Sequence, residues 1–247
     1  MEQTHSMEPV LEAVAVDVAS AWNHRIQLTG VDWIVLPGEY WVIGGPHGSG
    51  KTDLLMTVAG LRRPAAGSVR IFGQETAQLS EAELLASRTR IGFVFKGGGR
   101  MFTELTVAEN VALALCYHRN WSAEQAEAEV HAVLEITELT ALGKETAQTI
   151  GSDWQQRVGL ARALALKPEV MFFDEPATGL EARHRQWWRD FLAQLSGGIP
   201  YTGGRKMTVI AATNDFALWH GGKHRYGLIK DKHWHITGAE AEHPQIE

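Results

Sequence analysis

Residues 45–52 constrain the fold of this chain more than any other segment. They read Gly-Pro-His-Gly-Ser-Gly-Lys-Thr and fit the pattern G-x-x-x-x-G-K-[ST] without a mismatch. The apolar segment 40–43 precedes them, and the helix-like segment 53–58 follows them. Because a glycine-rich loop lets successive backbone N–H groups curl around phosphate oxygens at a helix N-terminus, the sequence predicts a strand, a phosphate-binding loop and a helix in this order.

This motif also predicts which residues bind a nucleotide. Lys51 is expected to reach the β- and γ-phosphates, and Thr52 is expected to hold Mg²⁺. The candidate nucleotide ligands in this segment are Gly45, Pro46, His47, Gly48, Ser49, Gly50, Lys51, Thr52 and Asp53.

Residues 170–175 carry the acids that such a site requires. They read Val-Met-Phe-Phe-Asp-Glu, and the phosphate loop lies about 120 residues upstream. A buried strand of this kind delivers its carboxylates at the carboxyl edge of a parallel sheet. We expect Asp174 to act on Mg²⁺ through its water shell, and Glu175 to orient or deprotonate the attacking water. The alternative interpretation is a strand that ends in a solvated acidic turn.

Composition limits the class of protein. A chain of 247 residues with 45% hydrophobic residues is long enough for one large domain, or for a core domain with an inserted subdomain. The net charge of −6 argues against nucleic acid as a partner. The single Cys116 cannot form an internal disulfide, which fits a reducing cytosol.

Neither the N-terminus nor any apolar run predicts a membrane segment. The first nine residues are polar and acidic, unlike a secretory signal. The longest clean apolar run, 111–117, falls far short of the roughly 20 residues that span a bilayer. We therefore expect another protein to anchor this chain if it works at a membrane.

Alternating β and helical patterns predict an α/β fold. Strands are predicted at 14–18, 26–35, 40–43, 68–72, 91–95, 170–173, 208–212 and 226–229, and helices at 53–58, from Ser80, and at 107–117, 122–137, 155–166 and 181–195. The expected architecture is a P-loop NTPase core with a mainly parallel sheet, an N-terminal antiparallel β subdomain and an inserted helical subdomain at about 96–167. Residues 10–237 are expected to form a single domain, with mobile ends at 1–9 and 238–247.

From about residue 14 to residue 236, the order of the landmarks resembles the nucleotide-binding subunit of ATP-binding cassette (ABC) transporters. The landmarks are the phosphate loop, the strand 91–95, Leu-Thr-Val-Ala-Glu-Asn-Val at 105–111, Gln-Gln-Arg-Val-Gly-Leu-Ala-Arg-Ala-Leu at 155–164, and the acidic strand. Within the family, the stretch 95–105 is most similar to the ATPases of Mla-type systems, which move phospholipids between bacterial membranes.

The resemblance implies an ATPase that uses ATP and Mg²⁺ and is peripheral to the cytoplasmic face of the inner membrane. Its partners would be an integral-membrane permease, a second nucleotide-binding subunit in a head-to-tail dimer, and an accessory substrate-binding protein. The second subunit is either an identical chain or a different cassette. The helical subdomain with the loop 96–102 is the expected permease-docking surface. The family also places an aromatic residue that stacks on adenine at the position of Trp22, 23 residues before Gly45. The alternative interpretation is that Trp22 is a turn residue packed on the β subdomain.

Four positions depart from the family pattern. The signature, usually Leu-Ser-Gly-Gly-Gln, aligns with residues 150–154, where Asp153 opposes an arriving phosphate unless its carboxylate turns away. Ser152 is the candidate ligand in this segment. Lys96 replaces a glutamine that touches Mg²⁺ and water; a cation cannot ligate the metal, although it could neutralise phosphate charge. Glu181 replaces an aspartate, and Asn214 replaces the histidine that contacts the γ-phosphate.

Three functions are compatible with this sequence. The first is ATP hydrolysis coupled to transport. It is favoured by the expected catalytic residues Glu175, Lys51 and Asn214, and by Thr52 and Asp174 as the expected metal-binding residues. The four departures favour a non-hydrolysing ATP-binding subunit that regulates or scaffolds a membrane complex. The third is a soluble ATPase that acts on nucleic acid or ribosomes. The net negative charge of the chain and its single cassette argue against this function. The sequence leaves the cargo open.

Overall fold

The computed structural model describes residues 8–219 and 222–237. Its strands are β1 Leu11–Ala19, β2 Ile26–Val35, β3 Tyr40–Gly44, β4 Ala66–Ile71, β5 Gln74–Glu75, β6 Ile91–Val94, β7 Val170–Asp174, β8 Thr208–Thr213, β9 Arg225–Lys230 and β10 His233–Thr237. Its helices are α1 Lys51–Val58, α2 Glu81–Thr89, α3 Val107–Arg119, α4 Ala123–Ile136, α5 Ser152–Leu164 and α6 Ala182–Gly197. Short 3₁₀ turns lie at Lys96–Gly98, Thr140–Leu142, Pro200–Thr202 and Phe216–Trp219.

The main sheet has the strand order β10-β9-β3-β8-β7-β6. Its neighbouring strands are parallel, except for the antiparallel pair β10 and β9. Strands β3, β7 and β8 are buried along their whole length, as parallel strands covered on both faces are. The predicted mainly parallel sheet is therefore confirmed, and the carboxyl ends of β3, β6, β7 and β8 meet at one edge.

A second sheet, ordered β2-β1-β4-β5, is antiparallel throughout. It packs on the main sheet through aromatic residues, with the ring centroids of Trp33 and Trp41 5.4 Å apart. The predicted N-terminal antiparallel layer is confirmed.

The two faces of the main sheet belong to two separate apolar cores. On β7, Met171 and Phe173 face the core shared with α3 to α6, whereas Val170 and Phe172 face the core shared with α1 and the antiparallel sheet. Burial on both faces fixes the position of β7, and therefore the position of the two acids at its end.

The structure corrects one helix boundary that matters for the site. Helix α5 begins at Ser152, whereas the sequence pattern placed its start at Gln155. Gly151 is extended and acts as the N-cap, because its carbonyl accepts the N–H groups of Trp154 and Gln155 at 3.0 Å each. Residues 152 and 153 thus lie in the first turn of a helix.

The prediction of mobile ends falls almost entirely outside the described residues, which leave out 1–7 and 238–247. Residues 8 and 9 are described, and Glu8 approaches Gly73 in the turn between β4 and β5.

Candidate nucleotide site

A cavity of about 290 Å³ opens at the carboxyl edge of the main sheet. The loop from β3 to α1 forms one wall, and the residues that follow β7 and β8 form another. Its lining residues are Ser20, Trp22, Gln27, His47, Gly48, Gly50, Lys51, Thr52, Asp53, Lys96, Asp174, Glu175 and Asn214. The structure therefore brings together most of the sequence-predicted site residues, although Gly45, Pro46, Ser49 and Ser152 are not among those that line the cavity.

The backbone of the phosphate loop offers hydrogen-bond donors to this cavity. Within the described residues, the N–H groups of Gly48, Gly50, Lys51 and Thr52 have no protein acceptor. Gly50 caps α1 with a left-handed backbone, and a Cβ atom there would come within 2.9 Å of Gln27. A row of unpaired N–H groups at a helix N-terminus attracts a phosphate.

Lys51 is buried and stands at the centre of this loop. Its ammonium donates to the carbonyls of Gly45 and Pro46 at 2.8 and 2.9 Å and to Asn214 Oδ1 at 2.6 Å. Burial lowers the pKa of Lys51, and the carboxylates of Glu175 and Asp174 oppose that shift. The ammonium is thus held in place with its charge inside the cavity.

Thr52 and Asp174 form the pair predicted to hold the metal. The Thr52 hydroxyl donates to Asp174 Oδ1 and Oδ2 at 2.9 and 3.0 Å. Hydroxyl and carboxylate oxygens are the hard ligands that Mg²⁺ prefers, with water and phosphate completing the shell. These residues fit Mg²⁺, which would neutralise the charge of the triphosphate when bound. Burial raises the pKa of Asp174, and the Thr52 hydroxyl opposes the rise.

Glu175 is buried and held by contacts on one carboxylate oxygen. Glu175 Oε2 accepts from Thr178 Oγ1 at 2.5 Å and from the Asn214 N–H at 3.1 Å, while Oε1 lies 3.8 Å from Lys51 Nζ. The residue has a φ of +53°, a left-handed conformation that is uncommon outside glycine and is often found at functional sites. Oε1 thus faces the cavity as a candidate acceptor for a proton.

Sequence reasoning missed the contribution of Thr178. A threonine three residues after a carboxylate has no motif of its own, and only the turn after β7 brings its hydroxyl back to Glu175.

Trp22 lies at the mouth of the cavity with 95% of its surface exposed. The preceding residue is anchored, because the Ala21 N–H donates to Asp53 Oδ1, which also forms an ion pair with Arg62 at 2.7 Å. Asp53 therefore acts on the loop that carries Trp22. An exposed indole on an anchored loop is available to stack on a base, so adenine stacking stays a prediction for this residue.

One oxygen of the Asp153 carboxylate turns toward α6, which is the alternative that the sequence left open. Its Oδ2 accepts from the Glu181 N–H at 3.2 Å and lies 3.9 Å from His184 Nε2. The carboxylate turns toward the start of α6 because α5 already begins at Ser152. The exposed Ser152 lies at the helix start, where no side chain caps α5, and its hydroxyl donates to Asp153 Oδ1 at 3.3 Å.

The contact between Asp153 and the Glu181 N–H is expected to stabilise the fold. Replacing Asp153 with alanine removes the acceptor for the Glu181 N–H, and we expect the free energy of unfolding to fall by about 1 kcal/mol. Urea unfolding measures this change. The matched variant Asp190→Ala, whose exposed carboxylate contacts Gln186 of its own helix and Arg189, should change it by less than about 0.5 kcal/mol. Unchanged stability together with tighter ATP binding would contradict the observed orientation.

A larger cavity, about 370 Å³, lies at the opposite edge of the sheet. Arg90 and Glu169 in its wall form a double hydrogen bond with each other, at 2.6 and 3.0 Å, which satisfies both charges. The described part of this edge has no glycine-rich loop before a helix, so the smaller cavity is the candidate nucleotide site.

Comparison with known proteins identifies the family. A sequence model described as ABC transporter matches residues 28–178, more than half of this chain. The chain belongs to the ABC transporter family. The matched region contains the phosphate loop, the two acids at the end of β7 and the start of α5.

Curated relatives from the ABC family are similar over most of this chain. A protein of Mycobacterium bovis named sulfate/thiosulfate import ATP-binding protein CysA is 33% identical over 204 residues, covering 83% of this chain and 54% of the relative. A protein of Xylella fastidiosa with the same name is 37% identical over 171 residues, covering 68% of this chain and 47% of the relative. This chain thus spans about half the length of the curated relatives that it matches.

A solved ABC cassette has a similar fold. A dimeric post-hydrolysis state of the ATP-binding cassette MJ0796, bound to ADP and Pi, aligns with a TM-score of 0.81 and 27% identity over 94% of this chain and 100% of the other. The predicted P-loop NTPase fold of an ABC cassette is therefore confirmed. In the part of the chain that the structure describes, no helix is both long and apolar enough to cross a bilayer.

Proposed function

We propose that this chain is the ATP-binding subunit of an ABC transporter, and that it hydrolyses ATP to drive a separate membrane permease. The observation that carries this proposal is the row of free N–H groups around Lys51, which faces the Thr52 and Asp174 pair and the Glu175 carboxylate across one cavity. This arrangement binds a triphosphate, holds a metal beside it and places a base within reach of the attacking water.

We further propose that residues 10–237 work as a single cassette, with the helical subdomain at about 96–167, in a head-to-tail dimer with a second nucleotide-binding subunit. Ser152 supports this assembly, because it starts an uncapped helix outside the chain's own cavity. With Asp153 turned toward α6, that helix start offers N–H groups to the phosphate of a second subunit. The solved relative is described as dimeric and bound to ADP and Pi.

Hydrolysis is favoured over the non-hydrolysing alternative. Of the four departures from the family pattern, Asp153 has both carboxylate oxygens engaged within the chain, Oδ2 by the Glu181 N–H and Oδ1 by the Ser152 hydroxyl. Asn214 accepts a hydrogen bond from Lys51, which helps to fix the ammonium. Both substitutions thus have a structural account that leaves the chemistry of Lys51 and Glu175 intact.

The permease, not the cassette, sets the cargo, and two observations favour different cargoes. The relatives' names indicate sulfate or thiosulfate import. The resemblance of residues 95–105 to Mla-type ATPases favours phospholipid. We propose a location on the cytoplasmic face of the inner membrane, where either permease would hold the chain.

Capture of the protein with its membrane partner tests this proposal. The tagged chain, solubilised from its own cells in mild detergent with ATP and Mg²⁺, should retain an integral-membrane subunit that mass spectrometry identifies. The sequence of that permease separates the two cargoes. Recovery with ribosomes or nucleic acid, and with no membrane protein, would overturn the transporter assignment.

A further inference from the structure

Lys96 stands at the edge of the sheet where the acids of the site lie. Strand β6 runs beside β7, with Val94 opposite Phe173. Two residues further along each strand, the chain reaches Lys96 and Glu175, and both line the same cavity. The sheet register therefore brings the cation next to the catalytic carboxylates.

The backbone that carries Lys96 is fixed by close packing. The Gly98 N–H donates to the Phe95 carbonyl at 2.9 Å, and Gly98 has a left-handed φ of +79°. A Cβ atom at Gly98 would lie 2.3 Å from the Gln155 carbonyl, and one at Gly159 would lie 2.5 Å from the Gly98 carbonyl. The segment is thus pressed against α5, which positions the start of the Lys96 side chain.

The ammonium of Lys96 is uncommitted, unlike that of Lys51. Three protein oxygens already accept hydrogen bonds from Lys51. Among residues 8–219 and 222–237, the Lys96 ammonium has neither a hydrogen-bond acceptor nor an ion-pair partner within 4 Å.

A protein cation in this place changes the role of the metal. An ammonium cannot ligate Mg²⁺, and its charge repels a second cation while it attracts phosphate oxygens. We propose that Lys96 is a built-in counter-ion for the β- and γ-phosphates, and that it reduces the dependence of nucleotide binding on Mg²⁺. This inference rests on the proposed function, because it requires that the cavity binds ATP.

Titration calorimetry of the full chain with ATP, in Mg²⁺ and in EDTA, tests the inference. For the wild type we expect the Kd in EDTA to exceed the Kd in Mg²⁺ by no more than about tenfold. Lys96→Met, which keeps the apolar stem and offers Mg²⁺ no oxygen ligand, should raise this ratio by at least a further tenfold, the equivalent of about 1.4 kcal/mol. Lys96→Arg keeps the charge and should preserve the wild-type ratio.

Lys144→Gln provides the matched control, since Lys144 is exposed and does not line the cavity. It should leave both Kd values unchanged, and thermal unfolding of the apo variants should show that Lys96→Met is folded. An equal ratio in wild type and Lys96→Met would overturn the counter-ion role while leaving the proposed function in place. No ATP binding by the wild type under either condition would overturn both.

Discussion

Lys51→Ala is expected to weaken Mg-ATP binding by at least about 100-fold. The lysine is the buried cation of the phosphate loop, and the substitution removes its hydrogen bonds to phosphate. Each such bond is worth about 1.5–3 kcal/mol, and about 1.4 kcal/mol corresponds to a tenfold change in Kd. Calorimetric titration of the purified protein measures the loss. It should affect ATP and ADP to different extents, because Lys51 is expected to reach the γ-phosphate as well as the β-phosphate.

The controls separate lost binding from lost folding. Lys51 also donates to the Gly45 and Pro46 carbonyls, so its removal leaves these loop acceptors unpaired. Lys51→Met keeps the apolar stem, and its thermal unfolding shows whether the loop survives. Lys144→Ala should bind ATP as the wild type does. Wild-type affinity in a folded Lys51→Ala variant would show that the nucleotide binds elsewhere.

Glu175→Gln is expected to reduce ATP hydrolysis by about 10²- to 10⁴-fold, the usual contribution of a positioned general base. The amide can keep its oxygen toward Thr178 and Asn214, but it cannot accept a proton from water. ATP binding should persist, and the unhydrolysed nucleotide should hold two chains together. Size-exclusion chromatography with ATP and Mg²⁺ should therefore show a dimer that the wild type forms only transiently.

Glu104→Gln is the matched control for this experiment, because Glu104 is exposed and lies outside the cavity. It should hydrolyse ATP at the wild-type rate and elute as the wild type does. If Glu175→Gln retained wild-type turnover, another group would have to serve as the base.

The sequence predicted the parts of this site that adjoin a strand. The phosphate loop follows β3 and the two acids stand at the carboxyl end of β7, so the motif, the apolar run and the parallel sheet together place Lys51 and Glu175 at one edge. Lys96 follows the same logic, since it lies just after β6. The family resemblance was confirmed, whereas the narrower phospholipid assignment found no support in the names of the relatives.

What the sequence could not predict depends on contacts between distant segments. The direction of the Asp153 carboxylate follows from the Glu181 N–H, 28 residues away, and from the early start of α5 at Ser152. The hydroxyl of Thr178 reaches Glu175 only through the turn after β7. Local sequence patterns carry no information about either contact. The Asp153 carboxylate, which the sequence alone presents as an obstacle to phosphate, links α5 to the start of α6 in the fold.

Phosphate release by the purified chain tests the central claim most directly. Steady-state release from ATP and Mg²⁺ would be compared between the wild type and Glu175→Gln, prepared identically so that the variant serves as the blank for contaminating ATPases. We predict release by the wild type that exceeds this blank by at least about 100-fold. Wild-type release equal to the blank, in protein that binds ATP, would contradict the account and would identify the chain as a non-hydrolysing subunit.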